Sequence, residues 1–294
     1  MIQPPEYFER IRQNAIKRWE QLEGDPEIAA PTHQLFKQVQ SPRHVISELL
    51  QNADDAGATK ASARIEDEDF IFEHNGEDFT EEQFESLCRF GYSNKRILHT
   101  IGFRGIGFKS TFSLGEKVSI YTPTLALYFH KDRFTEPVWT GKGTTNNGTT
   151  CVRIKIKNQN CMKELEKNLN EWHKSALSLL FFRNIRHITI CNEEIHWKSL
   201  GKGPVANSEY MALNGDKKNK FLLIRSEYEI FPDYALEEIS EERMISEEDM
   251  KDYPPSRIEI VLGAKGHLFV VLPTQVETIC LLPAMHLSSK IRRD

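Results

Sequence analysis

Between Ser41 and Ala58 the apolar residues recur at helical spacing. Ile46, Leu49, Leu50 and Ala53 fall on one face, whereas Glu48, Asn52 and Asp55 fall on the opposite face at i, i+4 and i+7. Ser41 is a candidate N-cap with Pro42 at the first helical position, so a helix is expected over residues 42–56. The same periodicity predicts helices over 5–22, ended by Gly24-Asp25-Pro26, over 80–90 with Thr80 as N-cap, over 161–181, and over the acidic stretch 235–253. Alternating and β-branched runs predict strands near 61–67, 70–75, 117–122, 125–130, 149–156, 187–190, 221–226, 257–263 and 267–273. Residues 133–147 and the GKGPVANSE stretch read as loops. Several strand pairs have connections too short for parallel crossovers. The expected fold is therefore α+β, an α/β sandwich in which helices cover one face of a mixed, mostly antiparallel sheet, followed by a smaller α/β segment.

Composition narrows this little. The 294 residues are 39% hydrophobic and 28% charged, as in ordinary globular proteins, and allow two domains or one large one. A net charge of -5 makes nucleic acid an unlikely but open partner. No apolar run would span a bilayer, and the N-terminus has no signal-peptide core. Cys88, Cys151, Cys161, Cys191 and Cys280 are scattered without a CxxC pair. A reducing, cytoplasmic setting fits that usage better than a disulfide framework or a zinc site.

Two stretches suggest chemistry. A carboxylate, an amide and a second carboxylate projecting from one helix could hold a hydrated Mg²⁺ and activate a water. The same stripe is also what an amphipathic helix with a solvated face would show. Downstream, IGFRGIGFKS (Ile101 to Ser110) carries Gly102, Gly105 and Gly107 ahead of a short helix, with Ile106 and Phe108 between and after them. Glycines let backbone N–H groups approach phosphate, a helix start adds free N–H groups, and Arg104 and Lys109 add positive charge. The P-loop register fails because Phe108 separates Gly107 from Lys109. The GxGxxG fingerprint fails because the order is GxxGxG after a polar loop. Glycines serving only a turn would give the same stretch.

Together these residues resemble the GHKL superfamily of ATPases, whose members include the ninety-kilodalton heat-shock chaperones, DNA gyrase, MutL and the histidine kinases. Its sacsin branch is the most similar. ExxxN matches Glu48–Asn52, with Asp55 one turn on, and GxxGxGF matches Gly102, Gly105, Gly107 and Phe108. Tyr92 to Arg96, with Ser93 and Lys95, resembles the lid of sacsin-type proteins, and Gly148-Thr149 resembles the family's late Gly-Thr strand start. The usual DxGxG element is altered to EHNGEDFT, with His74, Asn75 and Gly76 at the adenine end and Asp78 where the second Gly would stand. The sacsin branch shares that departure.

The resemblance implies a Bergerat fold that binds ATP with Mg²⁺ on Asn52 and uses Glu48 as the base for a slow hydrolysis. It implies a phosphate cradle over Gly102 to Ser110 (Gly102, Arg104, Gly105, Ile106, Gly107, Phe108, Lys109, Ser110), contacts from Asp55, His74, Asn75, Gly76, Ser93, Lys95 and Thr149, and a lid over 91–101. Closure would drive conformational change, engagement of a protein partner, or self-association through the N-terminal segment, within a chaperone-like or prokaryotic defence system. The expected divisions are 1–40 (helical), 41–200 (ATP-binding) and 201–294 (a partial following segment), the chain being a fragment of a longer protein or a natural short form. The alternatives are a nucleotide-gated interaction module without turnover and a MutL- or gyrase-like DNA-handling ATPase.

Overall fold

The structure is a computed structural model that describes residues 3–90, 107–143, 148–174, 176–218, 220–243, 255–263, 267–270, 272–277 and 284–289. In the N-terminal part, α1 (Glu6–Gly24), α2 (Pro26–Val39) and α3 (Pro42–Asp55) precede the hairpin of β1 (Lys60–Glu66) and β2 (Asp69–His74). Then come α4 (Glu81–Leu87), a 3-10 helix (Gly107–Ser113), β3 (Lys117–Tyr121), β4 (Ala126–His130), β5 (Arg133–Gly141), β6 (Thr150–Lys155) and α5 (Gln159–Lys174). A second 3-10 helix (Ala176–Phe181) leads to β7 (His187–Ile190), β8 (Glu193–Lys202), β9 (Ser208–Leu213) and β10 (Lys220–Arg225). The remaining described elements are α6 (Asp233–Arg243), β11 (Ser256–Leu262), β12 (His267–Val270), β13 (Leu272–Glu277) and β14 (Ala284–Ser289).

The strands join in the order β13-β12-β14-β11-β10-β9-β8-β7-β1-β2-β6-β3-β4-β5. Only β1–β7 and β12–β14 pair parallel among the described strands, so the sheet is mixed and mostly antiparallel, as expected. Register explains why helices cover one face. Cross-strand partners share a face. Ala63, Phe72, Val152, Ile120 and Leu127 form one such row, and Ile65, Phe70, Ile154, Val118 and Phe129 form another. These rows are largely buried under helices: α1 packs on β5, α3 on β1 and α5 on β7. The opposite face is polar, where Arg64 pairs with Glu66 and Glu73, and Arg153 with Asp69.

The helix starts follow local chemistry. Ser41 is the N-cap of α3 with Pro42 at its first position, although the serine hydroxyl makes no capping bond. Thr80 and Gln83 form a reciprocal capping box on α4. Asp25, expected only as part of a breaker, accepts from Glu27 N and starts α2. The 133–147 stretch is not a loop throughout. Its first part is β5, whose Phe134 and Thr135 are buried and whose Pro137 is tolerated because β5 is the sheet's edge. Likewise GKGPVANSE is the turn of a β8–β9 hairpin, and the helix expected over 161–181 is α5 followed by a separate 3-10 turn. The boundary expected at residue 200 falls inside β8, which pairs with β7 through its first half and with β9 through its second.

Candidate functional site

The site builds up along α3. Val45, Ile46, Leu49, Leu50 and Ala53 are buried and fix the helix on the sheet. Glu48, Asn52 and Asp55 project from the other side and are half-buried, because the Gly107–Ser113 3-10 helix packs against α3. The closest approach joins the two motifs. A Cβ built at Gly107 would collide with the Glu48 carboxylate, whose Cδ would lie 2.6 Å away. A side chain at position 107 would fit only if the Glu48 carboxylate moved.

The C-terminal end of α3 meets the end of β2. A Cβ at Gly76 would stand 2.8 Å from the Ala56 carbonyl oxygen, and Glu77 N donates to that same oxygen at 2.8 Å. His74 shares a face with Phe72, two residues back on β2, so it lies on the helix-covered side, with Thr150 as its partner on β6. Thr149 stands just before that strand, preceded by Gly148 in a left-handed conformation at φ +66°. His74 Nδ1 accepts from Gly76 N at 3.1 Å, and burial lowers the imidazole pKa to about 4. A neutral histidine therefore faces the helix side.

Asn75 has structural work. Its Oδ1 accepts from Thr59 N and Lys60 N at 2.9 and 2.8 Å, and its Nδ2 donates to Thr59 Oγ1 at 2.9 Å. The side chain thus ties the end of β2 to the α3–β1 turn. Asp78 pins another turn: its Oδ2 accepts from Thr124 N and Oγ1 at 3.0 and 2.7 Å.

Lys109 is turned into the protein interior. It is buried between the rings of Phe108 and Phe129, and its Nζ donates to the Leu87 carbonyl at 2.6 Å. Burial pulls its pKa down to about 8, while the neighbouring Cys88 thiol is pushed up to about 12, also by burial. The apolar residues around it, Phe108 and Phe112, were the available sequence signal. Ser110 is buried with no hydrogen-bond partner for its Oγ among the described residues. Ser93, Lys95, Gly102, Arg104, Gly105 and Ile106, with the expected lid, lie outside the described residues.

Asp54, next to Asp55 in the same motif, has a structural role. Asp54 is buried, and its carboxylate accepts from the backbone N–H of Arg183, Asn184 and Ile185 at 2.9, 2.7 and 3.0 Å. It anchors the segment entering β7 onto α3. Its position four residues after Leu50 places it on the buried side, and that phase was the readable signal.

The donor set suits a hydrated hard cation and a nucleotide. An amide and two carboxylates project from one face of a rigid helix, Gly107 abuts the Glu48 carboxylate, and Ser110, three residues on, has a buried hydroxyl without a partner among the described residues. Among the described residues no helix is long and apolar enough to cross a membrane.

Comparison with known proteins agrees with this geometry. Residues 40–171 match the family model described as histidine kinase-, DNA gyrase B-, and HSP90-like ATPase. That span contains α3, β1–β6 and most of α5. A DNA mismatch repair protein MutL from Chlorobium chlorochromatii (strain CaD3) is 30% identical over 178 residues, which cover 54% of this chain and 26% of that protein. The chain thus spans about a quarter of the relative's length. Both matches support the GHKL superfamily for this part of the chain, with ATP binding as its general property.

Proposed function

We propose that the chain binds Mg-ATP along α3 and hydrolyses it slowly. The observation carrying this reading is the packing of Glu48 against Gly107, with Asn52 and Asp55 following on the same helix. Asn52 would hold Mg²⁺, with Asp55 one turn beyond it. The cation, when bound, would neutralise charge on the phosphates. Gly107 offers its backbone where the phosphates would approach. Glu48 orients the attacking water and accepts its proton, a contribution of about 10²–10⁴-fold. His74, Gly76 and Thr149 stand at the far end of α3, where the base would lie, and a neutral His74 can exchange hydrogen bonds there without adding charge. Asn75 reaches that end through the backbone it holds rather than through its own amide.

The finer subtype we infer is sacsin-like. The altered EHNGEDFT element supports it, as does an Asp78 that fastens a turn instead of standing where a glycine would. Nucleotide-driven closure would then alter the N-terminal helices and engage a protein partner or a second copy, in a chaperone-like or defence system. Steady-state phosphate release with Mg-ATP, measured beside binding of a fluorescent ATP analogue, tests the core of this reading. Glu48→Ala should keep binding and lose at least about a hundredfold in turnover. Equal rates would remove Glu48 as the base, and no binding by the wild type would remove the reading itself.

A second reading is favoured by Lys109, whose amine is held by the Leu87 carbonyl rather than offered to phosphate. It is a nucleotide-gated interaction module, recognised by micromolar Mg-ATP binding with no phosphate release. The MutL relative raises a DNA-handling ATPase as a further alternative. The chain's net charge of -5 counts against it, and salt-dependent binding to duplex DNA would count for it.

A further inference from the structure

We propose that the face of the sheet away from α3 carries a metal site of the imidazole-rich, zinc-binding class, built by His187, Glu194 and His196 on the β7–β8 hairpin. These side chains each offer a ligand atom, and the three atoms lie within 4.8 Å of one another. Register places them there. Ile188 and Ile190 on β7 and Ile195 on β8 are buried on the helix side, so the residues between them point to the other face. His187 and His196 are direct cross-strand partners, and Glu194 is opposite Thr189, diagonal to His187.

The two imidazoles stack with centroids 5.3 Å apart and planes 24° from parallel, and His187 Nδ1 lies 3.2 Å from a Glu194 carboxylate oxygen. His196 Nδ1 is buried with no hydrogen-bond partner among the described residues. The hairpin is tight: Cys191 and Asn192 both take positive φ, at 48° and 72°, in the two-residue turn. Three ligands on one such hairpin are held close before any ion arrives. Small side-chain rotations would bring them to the roughly 2.0–2.2 Å that zinc takes from histidine nitrogen and carboxylate oxygen, leaving water in the fourth position.

The chemistry selects the ion. Mg²⁺ and Ca²⁺ need several oxygen ligands, and this cluster offers one carboxylate. Lys60 is the register partner of His187 across the parallel β1–β7 pair. A two-imidazole, one-carboxylate set favours Zn²⁺ or a similar borderline metal. A metal here would staple β7 to β8 at the point where β8 begins to serve both halves of the sheet.

The test uses the full chain, stripped with chelator and titrated with Zn²⁺ alone by calorimetry. Co²⁺ provides a visible-band readout of tetrahedral coordination. The wild type should bind one equivalent at micromolar metal that His187→Ala loses and Glu194→Gln weakens at least tenfold. Nucleotide affinity should stay unchanged in both variants, which separates this site from the ATP reading and shows that the variants fold. Identical zinc stoichiometry and affinity in the wild type and both variants would mean adventitious coordination elsewhere, as at Cys191 or His173, and would overturn the proposal. So would the absence of any micromolar zinc binding by the wild type.

Discussion

Gly107 is the position at which a single methyl group is expected to matter most. Its φ lies outside the glycine-favoured left-handed range, so alanine is acceptable to the backbone, and the cost arises only from displacing the Glu48 carboxylate. Gly107→Ala should therefore unfold at nearly the wild-type urea concentration yet lose about a hundredfold in phosphate release, the scale of an ångström-sized misplacement. An unchanged rate would show that the contact is irrelevant to turnover. His74 gives a pH signature. Its folded-state pKa of about 4 lies below the ordinary 6.5, so between those values the unfolded chain binds the extra proton. Stability should fall as the pH drops from 6.5 to 4, and His74→Gln should flatten that part of the urea-midpoint profile. The sequence spacing made Glu48, Asn52 and Gly107 legible as candidates. The approach of Gly107 to Glu48 was not legible, because it depends on how a 3-10 helix packs against α3. Lys109 misled for a related reason: a lysine after a glycine stretch suggests phosphate, and only its burial between two rings assigns it to the Leu87 carbonyl.

Among the elements, α3 and the segment before β7 depend on one another through Asp54. Asp54→Ala would leave three backbone N–H groups without their acceptor, and an unmet buried donor costs roughly 1–3 kcal/mol. Urea unfolding should show a loss of about 3 kcal/mol or more, with Asp54→Asn intermediate because it keeps one acceptor oxygen. A loss below about 1 kcal/mol would mean that water replaces the carboxylate. The elements easiest to read were those whose pattern and packing coincide: α3, the β1–β2 hairpin, α4, β6 and β7. β5 was hidden by Pro137, which is tolerated because no described strand pairs beyond it. α2 was hidden by its two prolines, Pro26 at the start and Pro31 within. β8 and β9 meet through a turn rich in glycine and polar residues that masks the hairpin around it.

For the whole molecule, the decisive fact is that β8 is shared. A chain ended after Leu200 would lose the β8–β9 pairing, the Trp197–Phe221 edge contact at 5.1 Å, and the packing of Leu213 on the main core. Its melting temperature should fall several degrees below that of the full chain, and a calorimetric scan of both would reveal an independent unit if it did not. The shared strand also limits how one half of the sheet can signal to the other. Sliding β8 lengthwise by a single residue would turn Ile195 out to solvent and His196 into the core, which the alternation of a strand forbids energetically. A change of local twist beyond Trp197 leaves that alternation intact. The register irregularity between Ser199 and Gly201, with Gly201 at φ +117°, supplies the compliant point. A displacement begun at α3 would cross into the C-terminal strands as torque rather than as translation.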